Sequence, residues 1–195
     1  MTNTDAAIRY IEELFRTDAG GHDADHSLRV WRTALRIAGT EPSCDREIVA
    51  LAALLHDADD RKLFRTENNA NARAFLLQIG MSEDRTERIC EVINGVSFSQ
   101  NGDRPPRTLE GQIVQDADRL DALGAVGIAR TFAYGGQHGR PMSESIRHFY
   151  EKLLLLKDRM NTAEGKRLAE VRHARLERFL ADWREETEEA GDRTV

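Results

Sequence analysis

The chain has 195 residues, of which 40% are hydrophobic, and it carries a formal net charge of −6. This length and composition suit one domain with a sizeable core, whereas the acidic balance argues against stable binding to a nucleic acid backbone. No stretch approaches the roughly 20 apolar residues that a membrane span needs, and the N-terminus lacks the basic and apolar regions of a signal peptide. We therefore predict a cytoplasmic protein that associates with neither membrane nor nucleic acid.

Apolar residues recur at intervals of three and four along most of the chain, which predicts α-helices. Thr4 is the predicted N-cap of the first helix and Ser43 that of the third. Glycine and proline predict loops at 97–108 and 135–140. We predict no strand, no repeat and no linker, and hence an all-α single domain over residues 1–195. The predicted helices cover about 5–16, 25–38, 44–57, 68–79, 82–93, 124–134, 143–159 and 162–189, with a further helix from about 109.

The third predicted helix is apolar on every side over residues 48–55 and runs directly into the sequence HDADD at 56–60. A helix that is apolar all round is normally buried. The unsatisfied carbonyl groups at a helix C-terminus carry partial negative charge, so each aspartate there is disfavoured by roughly 0.3 to 1 kcal/mol. A bound divalent cation would compensate for these acidic groups.

Four polar residues interrupt apolar stripes and are candidate ligands: His26, His56, Asp57 and Asp118. Two imidazoles and two carboxylates suit Mn, Co, Ni, Fe, Zn or Mg, among which the sequence does not choose. His56 and Asp57 are neighbours, so both reach one ion only if it lies over the end of their helix. Because the three segments lie about 30 and about 60 residues apart, spacing alone leaves the metal site open.

The order of His26, then His56 with Asp57, then Asp118 resembles the H…HD…D signature of the HD-domain superfamily of metal-dependent phosphohydrolases. Longer segments resemble short, single-domain bacterial members over about residues 21–172: GHDADHSLRVW, LLHDADDRK, IVQDADRLDALGAVGIARTF and FYEKLLLLKDRMNTAEGKRLAE. The resemblance implies an HD-domain helical bundle around one metal site. Its metal-site core would cover about 22–132, and C-terminal helices at about 143–189 would pack on that core.

The resemblance further implies that the four signature residues hold one divalent ion and that the protein hydrolyses phosphate esters or anhydrides, commonly of nucleotides. Asp57 and Asp60 are the predicted catalytic residues, because Asp57 is a ligand and Asp60 occupies the place of an acid that helps to activate water.

Positive groups are needed to hold the substrate phosphate, and Lys62, Arg29 and His22 are the candidates. A surface salt bridge explains Lys62 and Arg29 equally well. The roles of the flanking residues stay open: Asp23, Asp25, Arg119 and Asp121.

One departure from larger family members concerns histidines. HD enzymes with two metals add histidines between the HD pair and the final aspartate, whereas this chain has none between His56 and His138. A two-metal phosphodiesterase mechanism is therefore disfavoured.

The leading hypothesis is a single-metal nucleotide phosphohydrolase. The alternatives are a hydrolase of alarmones or other signalling nucleotides, a non-catalytic HD domain that senses nucleotide or metal, and a helical scaffold. The scaffold leaves the acidic cluster after a buried helix unexplained. The substrate, the cleaved bond, the native metal and the oligomeric state, a homo-oligomer included, stay open.

Overall fold

The computed structural model describes residues 2–16, 24–60, 63–96 and 104–191. Within these ranges it contains α-helices, a 3₁₀ helix and no strand, which confirms the predicted all-α class. The helices are α1 (Asn3–Leu14), α2 (Ala24–Ala38), α3 (Arg46–Leu55), α4 (Ala70–Gln78), α5 (Glu83–Val96), α6 (Leu109–Asp121), α7 (Gly124–Gln137), α8 (Met142–Glu151), the 3₁₀ helix (Leu153–Arg159) and α9 (Ala163–Gly191). None of the helices in these ranges is long and apolar enough to cross a membrane.

Helix α3 lies at the centre of the N-terminal part of the fold. Every side chain from Ile48 to Leu55 is buried, and the helix packs against α1, α2, α5 and α6. Its continuous apolar surface is therefore covered on several sides at once, as the sequence predicts. The predicted ligands on α2, after α3 and on α6 meet because α2 and α6 also contact each other.

The start of α3 differs from the prediction. The helix begins at Arg46 rather than Cys44, and its N-cap is Asp45 rather than Ser43. The Asp45 carboxylate accepts hydrogen bonds from the backbone N–H groups of Glu47 and Ile48 at 3.1 and 3.2 Å. Aspartate and serine are comparable N-cap residues, so local propensity did not distinguish the two positions.

The first helix also starts earlier than predicted. Its N-cap is Thr2 rather than Thr4, since Thr2 and Asp5 exchange two hydrogen bonds in a capping box. The Asp5 N–H donates to Thr2 Oγ1 at 3.1 Å, and the Thr2 N–H donates to the Asp5 carboxylate at 2.9 Å. Two threonines two residues apart offer the same local signal, and the acid three residues after Thr2 selects the first.

The glycines at 135 and 136 do not end α7, which continues to Gln137 through part of the predicted loop. A Cβ atom at Gly135 would lie 2.6 Å from Ser145 Oγ. The absence of a side chain therefore allows α7 and α8 to approach closely, so this glycine serves packing rather than a turn.

The predicted helix over 143–159 is divided into α8 and the 3₁₀ helix. Lys152, between them, has φ −136° and ψ −57°, outside the helical range. Leu153 and Leu156 are both buried, and side chains three residues apart lie on one face of a 3₁₀ helix. Tertiary burial of these leucines explains the tighter winding.

The C-terminal helices share their core with the N-terminal ones. Helix α9 contacts α6, α7 and the 3₁₀ helix, and buried apolar residues from Ala7 to Leu180 belong to one cluster. Asp116 on α6 accepts hydrogen bonds from the backbone N–H groups of Asn161 and Thr162, both at 2.8 Å. These bonds fix the start of α9 against the helix that carries Asp118.

Candidate metal centre

The four predicted ligands come from three packed helices. His26 lies in the first turns of α2, His56 and Asp57 directly follow the last residue of α3, and Asp118 lies near the end of α6. His26 is buried and the Asp118 side chain is 35% exposed. The cluster is therefore closed on the side of α2 and open to solvent at Asp118.

The ligand atoms of His26, His56 and Asp118 all lie within 4.8 Å of one another, and Asp57 lies beside the two imidazoles. The Nε2 atoms of His26 and His56 are 3.2 Å apart, and Asp57 Oδ2 lies 3.5 Å from each of them. Asp118 Oδ1 lies 3.4 Å from His26 Nε2 and 3.8 Å from His56 Nε2. Residues from positions 26, 56, 57 and 118 thus form one nitrogen and oxygen cluster.

The Nδ1 atom of each imidazole forms a hydrogen bond that orients the ring. His56 Nδ1 lies 2.9 Å from the Ala53 carbonyl oxygen, and His26 Nδ1 lies 2.8 Å from Asp121 Oδ2. Both partners only accept hydrogen bonds, so each Nδ1 carries a proton, and in its neutral form each ring has its lone pair on Nε2. The two Nε2 atoms, 3.2 Å apart, need a positive charge between them, which either a proton on one Nε2 or a divalent cation supplies.

The acids around His26 also favour a positive charge at this point, which is a second proton on His26 when no ion is bound and would be the metal when one is. Burial alone would lower the pKa of His26, but the hydrogen bonds to Asp118 and Asp121 and the charge of Asp57 outweigh it and raise the pKa to about 9. Burial opposes ionisation of Asp118, yet the two imidazoles hold the pKa of that carboxyl below its usual range. The donor set therefore fits a divalent metal ion.

The acidic residues after His56 have different surroundings. The Asp59 carboxylate accepts hydrogen bonds from the backbone N–H groups of Asn71 and Ala72 at 2.9 and 3.0 Å. It thus caps α4, whose own N-cap residue Asn69 forms no side-chain cap. Asp60 is partly exposed in the turn after Asp57, and its N–H donates to the Asp57 carbonyl at 3.0 Å.

Asp121 is a functional candidate whose role the sequence left open. Arg29 donates to it through Nε at 2.8 Å and Nη2 at 3.0 Å, and Arg130 donates through Nη1 at 2.6 Å. Burial opposes ionisation, but His26, Arg29 and Arg130 hold the pKa of Asp121 well below its usual range. No periodic pattern in the sequence indicates that Arg130 reaches this carboxylate.

Of the three predicted substrate contacts, one lies within the described residues. Arg29 lies beside the centre with its side chain 30% exposed, while His22 and Lys62 lie outside the described residues. Arg119 donates to the Arg159 carbonyl and thus contacts the 3₁₀ helix. Asp25 lies in the first turn of α2, where an acid is favoured by the helix dipole.

Comparison with known proteins identifies the family. A model described as "HD domain" matches residues 23–123, more than half of the chain. This chain belongs to the HD-domain family. One relative of this chain is YpgQ of Bacillus subtilis, which is 37% identical over 179 residues. The match covers 88% of this chain and 87% of YpgQ.

Solved structures have the same fold. The crystal structure of B. subtilis YpgQ in complex with ADP superposes with a TM-score of 0.81 and 34% identity, covering 94% of this chain and 97% of that one. An HD-superfamily hydrolase from Bacillus thuringiensis gives a TM-score of 0.77 and 39% identity, covering 95% and 96%. The fold shared with these two structures thus extends over almost the whole chain, beyond the residues that the HD-domain model matches.

Proposed function

We propose that this HD-domain protein is a metal-dependent phosphohydrolase that cleaves a phosphate ester or anhydride of a nucleotide. The observation that carries the proposal is the pair of Nε2 atoms 3.2 Å apart, with the carboxylates of Asp57 and Asp118 beside them. The ADP in the YpgQ crystal and the description of the B. thuringiensis protein as a hydrolase support a nucleotide substrate and hydrolysis.

His26, His56, Asp57 and Asp118 would hold the ion. An ion held by these residues would lower the pKa of bound water from about 15.7 towards 7 to 9 and would neutralise phosphate charge. The donor set accommodates Mn, Co, Ni, Fe, Zn or Mg.

The chain's own residues supply proton transfer and substrate contacts. Asp60 follows the ligand Asp57 by three residues in a partly exposed turn, where a carboxylate can exchange a proton with water as general acid or base. Arg29 adds a partly exposed guanidinium beside the centre. We propose Lys62 and His22 as further contacts to the phosphate groups. Lys62 follows Asp60 by two residues, and His22 precedes His26 by four.

A product assay tests this proposal. Purified protein is incubated with Mn²⁺, Mg²⁺ or Co²⁺ and a panel of nucleoside mono- and triphosphates and alarmones, alongside Asp57→Ala. The matched control is Asp59→Asn, which changes a neighbouring acid that faces α4 rather than the imidazoles and retains an acceptor oxygen for that helix. We expect metal-dependent release of phosphate or pyrophosphate by the wild type and Asp59→Asn, and none by Asp57→Ala.

The products distinguish the alternatives. Phosphate indicates a phosphatase and pyrophosphate a pyrophosphohydrolase, while turnover of alarmones alone favours the signalling-nucleotide hydrolase. If metal and nucleotide bind but no member of the panel is hydrolysed, the phosphohydrolase proposal is wrong for these substrates and a sensor takes its place.

A further inference from the structure

We propose that Asp121 is a positioning residue of the metal centre, which fixes His26 as an Nε2 ligand and thereby sets the affinity for a divalent cation. The inference rests on the metal centre of the proposed function and does not depend on which phosphate compound is hydrolysed. It assigns a role to a carboxylate that lies one helical turn after Asp118 on α6.

Asp121 forms a buried hydrogen bond with His26. Asp121 Oδ2 lies 2.8 Å from His26 Nδ1, and its side chain is only 4% exposed. Water therefore does not compete for this hydrogen bond. An ionised carboxylate accepts but does not donate, so the imidazole proton is held on Nδ1 and the Nε2 lone pair is directed at the ion.

Two arginines contact the same carboxylate. Arg130 Nη1 lies 2.6 Å from Oδ2, the oxygen that also contacts His26. Arg29 contacts both oxygens, at 2.8 and 3.0 Å. Asp121 thus joins α2, α6 and α7, and Arg130 competes with the imidazole for one oxygen while adding positive charge near the cation site.

These contacts predict opposite effects for two substitutions. In Asp121→Asn the amide N–H can donate to Nδ1, which moves the imidazole proton to Nε2 and removes a negative charge. We expect the dissociation constant for the metal to rise about 10- to 100-fold. In Arg130→Met the competing donor and a positive charge are lost, so we expect the metal to bind about threefold more tightly.

The test is calorimetric titration of metal-stripped protein with Mn²⁺, together with the melting temperature of each metal-free variant. The matched control is Asp116→Asn, a buried carboxylate on the same helix that accepts from the backbone of Asn161 and Thr162 rather than from an imidazole. We expect Asp116→Asn to lower the melting temperature and leave the affinity for Mn²⁺ unchanged.

Weaker binding by Asp121→Asn and tighter binding by Arg130→Met support the proposal. It is overturned if Asp121→Asn binds Mn²⁺ as the wild type does and only melts earlier, or if Arg130→Met binds more weakly. Should Asp121→Asn not fold, the direction of the change in Arg130→Met decides. A wild type that binds no metal refutes the metal centre itself, whereas equal binding by wild type and Asp121→Asn refutes only the role of Asp121.

Discussion

His26 and His56 present the same nitrogen to the centre but are anchored in different ways. His56 donates to the carbonyl of Ala53, three residues earlier in the chain, so helix geometry provides its orientation locally. His26 depends on Asp121, which is 95 residues away in sequence. Asp121 is charged and also contacts Arg29 and Arg130. The orientation and charge of the His26 ring therefore depend on how α2, α6 and α7 pack.

Asp60 is expected to act in proton transfer and not in metal binding. We predict that Asp60→Asn lowers kcat about 100- to 10,000-fold, because the amide cannot exchange a proton, while the affinity for Mn²⁺ stays the same. Steady-state kinetics and calorimetry on the same preparations check both parts. A variant that loses metal along with activity would show that Asp60 is a ligand instead.

Helix α4 is held at its N-terminus by an acid from another segment. In Asp59→Ala the N–H groups of Asn71 and Ala72 lose their acceptor, so we expect the free energy of unfolding to fall by about 1 kcal/mol. Urea denaturation measures this change. Asp84→Ala, at an exposed acid in the first turn of α5, is the control and should change stability less. Equal losses in the two variants would argue against the cap.

The junction of α2 with α9 contains a titratable ion pair. Hydrogen bonds from Arg167 and Arg36 lower the pKa of Glu164 to about 2. Because this carboxyl has a lower pKa folded than unfolded, its stabilising contribution is present above about pH 4.5 and is lost as the pH falls towards 2.

We therefore predict that Glu164→Gln is less stable than the wild type at pH 7 and that the difference shrinks between about pH 4.5 and 2. Denaturant titrations of both proteins at several pH values measure it. A difference that is independent of pH would mean that Glu164 acts through packing rather than through its charge.

The whole molecule is expected to unfold as one unit, since the N-terminal and C-terminal helices contribute to one buried cluster. Trp31 lies on α2 and Trp183 near the end of α9, so each reports on a different part. We predict that Trp31→Phe and Trp183→Phe give fluorescence transitions at the same denaturant concentration as their circular dichroism. Separate midpoints would contradict the predicted single domain over residues 1–195.

The arrangement of the fold could be predicted from the sequence where the signal is local. The continuous apolar run at 48–55 predicts a buried central helix, and the HD pair after it predicts polar ligands over its end. Both follow from the composition and helix geometry of one short segment and need no knowledge of the neighbours. Helix ends were less predictable, because Ser43 and Asp45, or Thr2 and Thr4, compete with similar capping energies.

Short segments of the sequence thus determined the all-α class, the two imidazoles and two carboxylates of the candidate site, and the resemblance to HD domains. The contacts that orient these groups come from packing between helices. Asp121 reaches His26 and Arg130 because α2 and α7 both adjoin α6, and Asp59 caps α4 because the turn after α3 meets that helix. Hydrogen bonds between different helices leave no periodic trace in the sequence, since they depend on the relative positions of whole helices.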